Sequence, residues 1–171
     1  MVDETKKLYT LGIVGGTGKE GKGLAYRWLK AGHKVIIGSR NFEKAQKAVE
    51  ELIEFMGYSP EGLSGMDNRA AVEACDIAVI TVPYVGHKST LEDLKDALQG
   101  KIVIDVVVPL VPPKVSKVQM PESGSAAQEA QAILGDTCQV VEGLTSVLIG
   151  LNQQHKVHAA GIRITGISDQ T

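Results

Sequence analysis

Apolar and polar positions along this chain follow two rhythms that alternate from one segment to the next. Leu8–Val14 is almost continuously apolar and reads as a strand. Lys19–Lys30 switches to helical spacing, with Leu24, Ala25, Trp28 and Leu29 forming one stripe. A short second strand is predicted at Lys34–Ile37, and Asn41 stands where the N-cap of a helix over Phe42–Met56 would be. Its Ala45, Ala48, Val49, Leu52 and Ile53 keep that period. The Gly-, Ser- and Pro-rich stretch Gly57–Gly65 reads as a loop, and Asn68–Ala74 as a short helix. Ile77–Val82 is apolar without alternation, the pattern of a strand covered on both faces. A helix over Ser89–Leu98 follows, then a strand over Lys101–Val108 interrupted only by Asp105. Ser125 and Gln128 have capping-box spacing at the head of a helix over Ala126–Leu134. Gln139–Val147 and Gly161–Ile167 read as two further strands. Strands that alternate with helices and lack a polar face predict a parallel sheet with helices on both sides.

A length of 171 residues supports one domain, 1–171, with residues 1–7 as a loose leading segment. Eighteen basic against twenty acidic side chains leave a net charge of −2, which argues against a nucleic-acid surface. No apolar run is long enough to cross a bilayer, and the start has no signal-peptide core, so a soluble, cytoplasmic protein is expected. Cys75 and Cys138 match no metal spacing and read as small buried hydrophobes in a reducing compartment. His155 and His158 lie three apart in a polar stretch and read as solvated, so no metal site is expected.

The sharpest motif is Gly16-Thr17-Gly18-Lys19-Glu20-Gly21, placed between the first predicted strand and the first predicted helix. In that context the first glycine permits a tight turn, the second lets backbone approach a pyrophosphate, and the third lets helix and strand pack closely. The helix start then offers free N–H groups and a partial positive charge to phosphate. This predicts a Rossmann-type, doubly wound, mostly parallel α/β sheet that binds a dinucleotide.

At the end of the second strand, where such sites usually carry an acid for the ribose 2′-hydroxyl, the chain has Gly38-Ser39-Arg40. A carboxylate there would repel a 2′-phosphate, whereas a guanidinium can hold it by charge-assisted hydrogen bonds. Ser39 can donate to the same group, and Lys44 lies on the first turn of the next helix. The cofactor expected is NADP.

These segments resemble the coenzyme F420-dependent NADP reductase family, and are similar to the cytosolic domain of the STEAP metalloreductases. The matching residues are Gly15 to Gly23, Gly38-Ser39-Arg40 with Lys44, and Glu73 to Pro83; Ser125-Ala126-Ala127 and Val140-Val141 extend the match. The resemblance implies that Gly16, Thr17, Gly18, Lys19, Glu20 and Gly21 line the pyrophosphate, and that Ser39, Arg40 and Lys44 hold the 2′-phosphate. It further implies that Val82, Pro83 and Tyr84 lie near the nicotinamide, that Val147 also contacts the cofactor, and that hydride passes between NADP and a deazaflavin (coenzyme F420) or flavin-like acceptor. Because the cofactors carry that chemistry, no catalytic side chain is nominated. A stand-alone NADP-binding module is the competing reading.

Two departures from the family stand out. After the family's sixth strand members tend to carry a His, where this chain has Thr145-Ser146-Val147-Leu148, and members continue for several dozen residues beyond the equivalent of Asp169. Apolar surface around Val140-Val141 and beyond is therefore expected to be covered by a second copy, giving a homodimer. Asp105 is open between facing the cofactor crevice and serving a hydrogen-bonded turn, while His33 and His87 have no partner visible in sequence.

Overall fold

A computed structural model describes residues 7–110, 121 and 124–142. The strands are β1 (Thr10–Val14), β2 (Lys34–Ser39), β3 (Leu63–Asp67), β4 (Ile77–Ile80), β5 (Ile102–Asp105) and β6 (Gln139–Glu142). Between them run helices α1 (Lys19–Lys30), α2 (Phe42–Met56), α3 (Asn68–Glu73), α4 (His87–Leu94) and α5 (Ala126–Leu134), with a single 3-10 turn over Tyr84–Gly86. The six strands form one sheet in the order β3-β2-β1-β4-β5-β6, and every pairing is parallel. Parallel neighbours need crossovers, and the helices supply them on both faces.

Each strand sends alternate residues to opposite layers. Leu11 and Ile13 of β1, with Ile77 and Val79 of β4, pack against α1 and α2 through Leu24, Trp28, Ala45 and Leu52. Val14, Ala78, Ile80 and Val103 face the other way, onto Val72, Leu91, Leu98, Ala130 and Leu134. Removing a Leu- or Ile-sized side chain from water contributes about 1.5–3 kcal/mol, so these two layers dominate the stability of the fold. Cys75 and Cys138 are buried in the second layer as free thiols whose hydrogens point at the Val72 and Leu98 carbonyls. Among the described residues no helix is long and apolar enough to cross a membrane.

The structure departs from the sequence expectations in several places. The segment expected as a loop to Gly65 contains the start of β3, an edge strand paired with β2 from Val35↔Leu63 to Ser39↔Asp67. Its Leu-Ser-Gly-Met-Asp sequence lacks β-branched residues, and backbone pairing with β2 holds it extended instead. Gly65 is there because α2 lies close: a Cβ would meet the Ala45 carbonyl group at 3.0 Å. β2 runs two residues longer than expected, to Ser39, and α4 starts at His87 rather than Ser89. β5 ends at Asp105, short of Val108, because the Asp105 carboxylate accepts the Val107 N–H and turns the chain. The expected strand over Gly161–Ile167, the segment 143–147 and the His155/His158 pair lie outside the described residues.

Candidate dinucleotide site

The strand order reverses between β1 and β4, and the loops following these two strands open at the carboxyl edge of the sheet. Ligands of open α/β sheets bind in the crevice at such a switch point. The loop after β1 is the glycine motif. Its turn is made one residue earlier than expected: Gly15 has φ +72°, and a Cβ on it would meet Val82 Cγ1 at 2.7 Å. The Gly16 N–H donates to the carbonyls of Ile13 and Gly38, tying the turn to β2. Gly21 lies against this turn, where a Cβ would be 2.5 Å from Gly16 Cα. Gly18, by contrast, has no atom within 4 Å of where its Cβ would be. It is the N-cap of α1 with no side-chain cap, whereas α2, α3 and α5 are capped by Asn41, Asp67 and Ser125. Thr17, Gly18 and Lys19 thus surround an open helix start with uncapped N–H groups, the arrangement that receives phosphate.

Glu20, also on the first turn of α1, is half-buried, and desolvation pushes its carboxyl above the ordinary range. Asn68 was not anticipated: its buried side-chain oxygen accepts the Gly15 N–H at 3.2 Å, so α3 braces the glycine turn. Thr81 Oγ1 likewise donates to the Val14 carbonyl at 2.9 Å, bracing the end of β1 from the β4 side.

At the end of β2, Ser39 is buried and its Oγ accepts the Asn41 N–H at 3.2 Å, which leaves its O–H to donate elsewhere. Arg40 and Lys44 are both exposed. Neither forms a salt bridge among the described residues, whereas Lys22, Arg69 and Lys88 do. The acid beside Ser39 in the sheet register is Asp67, but its carboxylate is taken by the Ala70 N–H at the start of α3. An anion placed here would meet the Arg40 and Lys44 cations, with the Asp67 carboxylate already engaged at the start of α3.

On the β4 side, Val82 packs against Gly15, Pro83 leads into the 3-10 turn, and Tyr84 is half-buried. Beneath Tyr84 lies a buried polar cluster. His87, at 0% exposure, places Nε2 2.8 Å from Oδ2 of Asp105, itself 1% exposed. The other Asp105 oxygen accepts the Val107 N–H, so of the two roles left open for this residue the hydrogen-bonded turn is the one observed, and its first oxygen holds a histidine. His87 Nδ1 faces Oε2 of Glu129 at 3.8 Å, and neither atom has a hydrogen-bond partner. His33 accepts the Tyr9 N–H through Nδ1 and stacks on the Tyr9 ring, contacts the sequence did not show. Val147 lies outside the described residues, and no group of three or more potential metal ligands occurs among the described ones.

Comparison with known proteins agrees with this geometry. Residues 10–109 match the model of the family described as NADP oxidoreductase, coenzyme F420-dependent. The chain belongs to this family. An F420-dependent NADP reductase of Methanothermobacter thermautotrophicus is 40% identical over 100 residues, which cover 58% of this chain and 43% of that protein. The F420-dependent NADP reductase of Methanocaldococcus jannaschii is 36% identical over 133 residues, covering 74% of this chain and 59% of its own length. This family member therefore spans about half the length of the curated relatives it matches. A crystal structure from Arthrobacter sp. FB24, assigned as an F420-dependent NADP reductase, superposes with a TM-score of 0.61 at 22% identity. The match covers 78% of this chain and 61% of that one, and bears out the Rossmann-type fold. The matched segment of the family, 10–109, contains the glycine turn, the Arg40/Lys44 pair, Tyr84, His87 and Asp105, but not Glu129.

Proposed function

We propose that this domain binds NADP(H) for an oxidoreductase that moves hydride between NADP and a deazaflavin or flavin-like acceptor. The observation that carries the reading is the pairing of an open, uncapped helix start at Gly18 with exposed Arg40 and Lys44, which form no ion pair among the described residues, across the β1 end of the switch point. In this reading Gly16, Thr17, Gly18, Lys19 and Gly21 form the pyrophosphate turn, and Ser39, Arg40 and Lys44 hold the 2′-phosphate. Glu20 stands at the edge of that turn with a carboxyl already disfavoured in its charged form. Val82, Pro83 and Tyr84 face the nicotinamide half. A bound nicotinamide supplies the hydride chemistry; the protein's part is to fix the ring, exclude water and hold the phosphates. The relatives named as F420-dependent NADP reductases support coenzyme F420 as the second substrate.

The same reading places the protein in a reducing compartment such as the cytoplasm, in keeping with its two buried free thiols. It also makes β6, which lies at the edge of the sheet among the described residues with Val141 47% exposed, the surface through which two copies pair. The deciding experiment compares binding of NADP and NAD by calorimetry, then follows NADPH oxidation with coenzyme F420, a flavin and a ferric chelate side by side. Tight NADP binding with turnover only on F420 is expected. Binding without turnover on any acceptor would leave the binding module as the better description.

A further inference from the structure

The Tyr84–Glu129–His87–Asp105 cluster joins four separate elements at the carboxyl edges of β4 and β5. Tyr84 comes from the loop after β4, His87 opens α4, Asp105 ends β5 and Glu129 lies on the first turn of α5. The Tyr84 ring stacks on the His87 ring with centroids 6.1 Å apart and planes inclined by 27°. Burial and the adjacent Glu129 carboxylate push the Tyr84 hydroxyl above its ordinary range. On its far side, His87 is anchored through Nε2 by a carboxylate whose second oxygen is also engaged.

That leaves His87 Nδ1 and Glu129 Oε2, both buried and facing each other at 3.8 Å. Two bare acceptors so placed would repel, and each would carry the cost of an unsatisfied buried polar atom. At that separation they form no hydrogen bond, so the packing of α5 beside α4 is what holds the pair face to face. We infer that Glu129 is a positioning residue for the nicotinamide end of the site: its carboxylate, set against the Asp105-anchored His87 on which the Tyr84 ring stacks, fixes where Tyr84 stands at the mouth of β4. This rests on the NADP(H) reading above and adds a specific residue from α5, outside the segment matched by the family.

The test separates the two ends of the cofactor. Wild type, Glu129→Ala, Tyr84→Phe, the double variant and Glu129→Gln are titrated calorimetrically with NADP and with 2′,5′-ADP, which carries the phosphates without a nicotinamide. Alanine is a strong helix former and Glu129 is partly exposed, so the variant should fold; circular dichroism checks this. Glu129→Ala and Tyr84→Phe should each weaken NADP by about threefold to tenfold, with the double variant no worse than the singles, because the two residues act through one contact. Affinity for 2′,5′-ADP should stay within about twofold. Glu129→Gln should restore NADP binding, since an amide can both donate and accept.

Unchanged NADP affinity in folded Glu129→Ala overturns the inference. So does an equal loss of 2′,5′-ADP, which marks a general structural role. A wild type that binds 2′,5′-ADP and NADP keeps the cofactor reading intact in either case. A wild type that binds neither overturns both.

Discussion

Replacing Arg40 with Ala tests the assignment of the 2′-phosphate end most directly. The guanidinium is exposed, begins no helix packing and is engaged in no salt bridge among the described residues, so its removal leaves no orphaned partner. The fold should therefore be untouched, and the whole effect should appear in binding. A hydrogen bond to a charged group is worth about 1.5–3 kcal/mol, and solvent exposure places a single contact here at the lower end of that range. A bidentate contact with a dianion would reach the upper end. Since about 1.4 kcal/mol is a decade in affinity, Arg40→Ala should weaken NADP at least tenfold, and up to about a hundredfold. NAD lacks the 2′-phosphate, and its affinity should barely move. Titration of both cofactors against wild type and variant measures the difference directly. Raising the salt should erode the wild-type preference as well, because exposed charges are screened over about 8–10 Å at physiological ionic strength. Equal wild-type affinity for the two cofactors, or parallel losses on mutation, would refute the reasoning.

Gly18→Val should abolish NADP binding yet leave unfolding unchanged, because its φ of −76° suits any residue and its Cβ meets nothing within 4 Å; calorimetry and urea titration read the two effects. Gly21→Ala should do the reverse in kind, lowering stability by about 1–3 kcal/mol as its Cβ drives into Gly16 at 2.5 Å. An unshifted urea midpoint would count against that packing. Glu20→Gln should stabilise the protein at neutral pH, because burial holds the native carboxyl above 4.5 and penalises its charged form. The gain should shrink as pH falls through the raised native value and be absent below 4.5, where native and unfolded chains are both protonated; a pH-independent gain would exclude this cause. Cys75, whose thiol burial pushes upward, should resist alkylation in the native protein at mildly alkaline pH and react on denaturation, as mass spectrometry would show. Light scattering should give twice 18.2 kDa if β6 edges pair, and the monomer mass at every concentration would remove the dimer.

The glycine turn, the helix that follows it, and the Ser39-Arg40-Lys44 constellation were legible in the chain itself. Each is a local feature: a turn that excludes Cβ atoms, a 3.6-residue stripe and a cap all involve residues within a few positions of one another. The doubly wound class was equally legible, because Ile77–Ile80 and Ile102–Ile104 lack the polar alternation of a sheet with one wet face. Edge strand β3 was not, since Leu63-Ser-Gly-Met-Asp67 carries no pattern of its own and is extended only because β2 offers it hydrogen bonds. Nor could the sequence single out Asn68, which serves Gly15 from 53 positions away, or show that Gly15 rather than Gly16 takes the left-handed turn.

The polar cluster below Tyr84 was hidden most completely. Asp105 stood out as an acid in an apolar strand, yet its histidine is 18 residues earlier and reaches it only through a helical crossover onto the same face of the sheet. Glu129 looks like an ordinary acid on a helix's first turn until α5 packs beside α4 and buries its Oε2 against the imidazole. Periodicity reports which face of an element is apolar. Which polar atoms then meet in the interior depends on how the crossovers stack those faces, and that is settled only when the layers close.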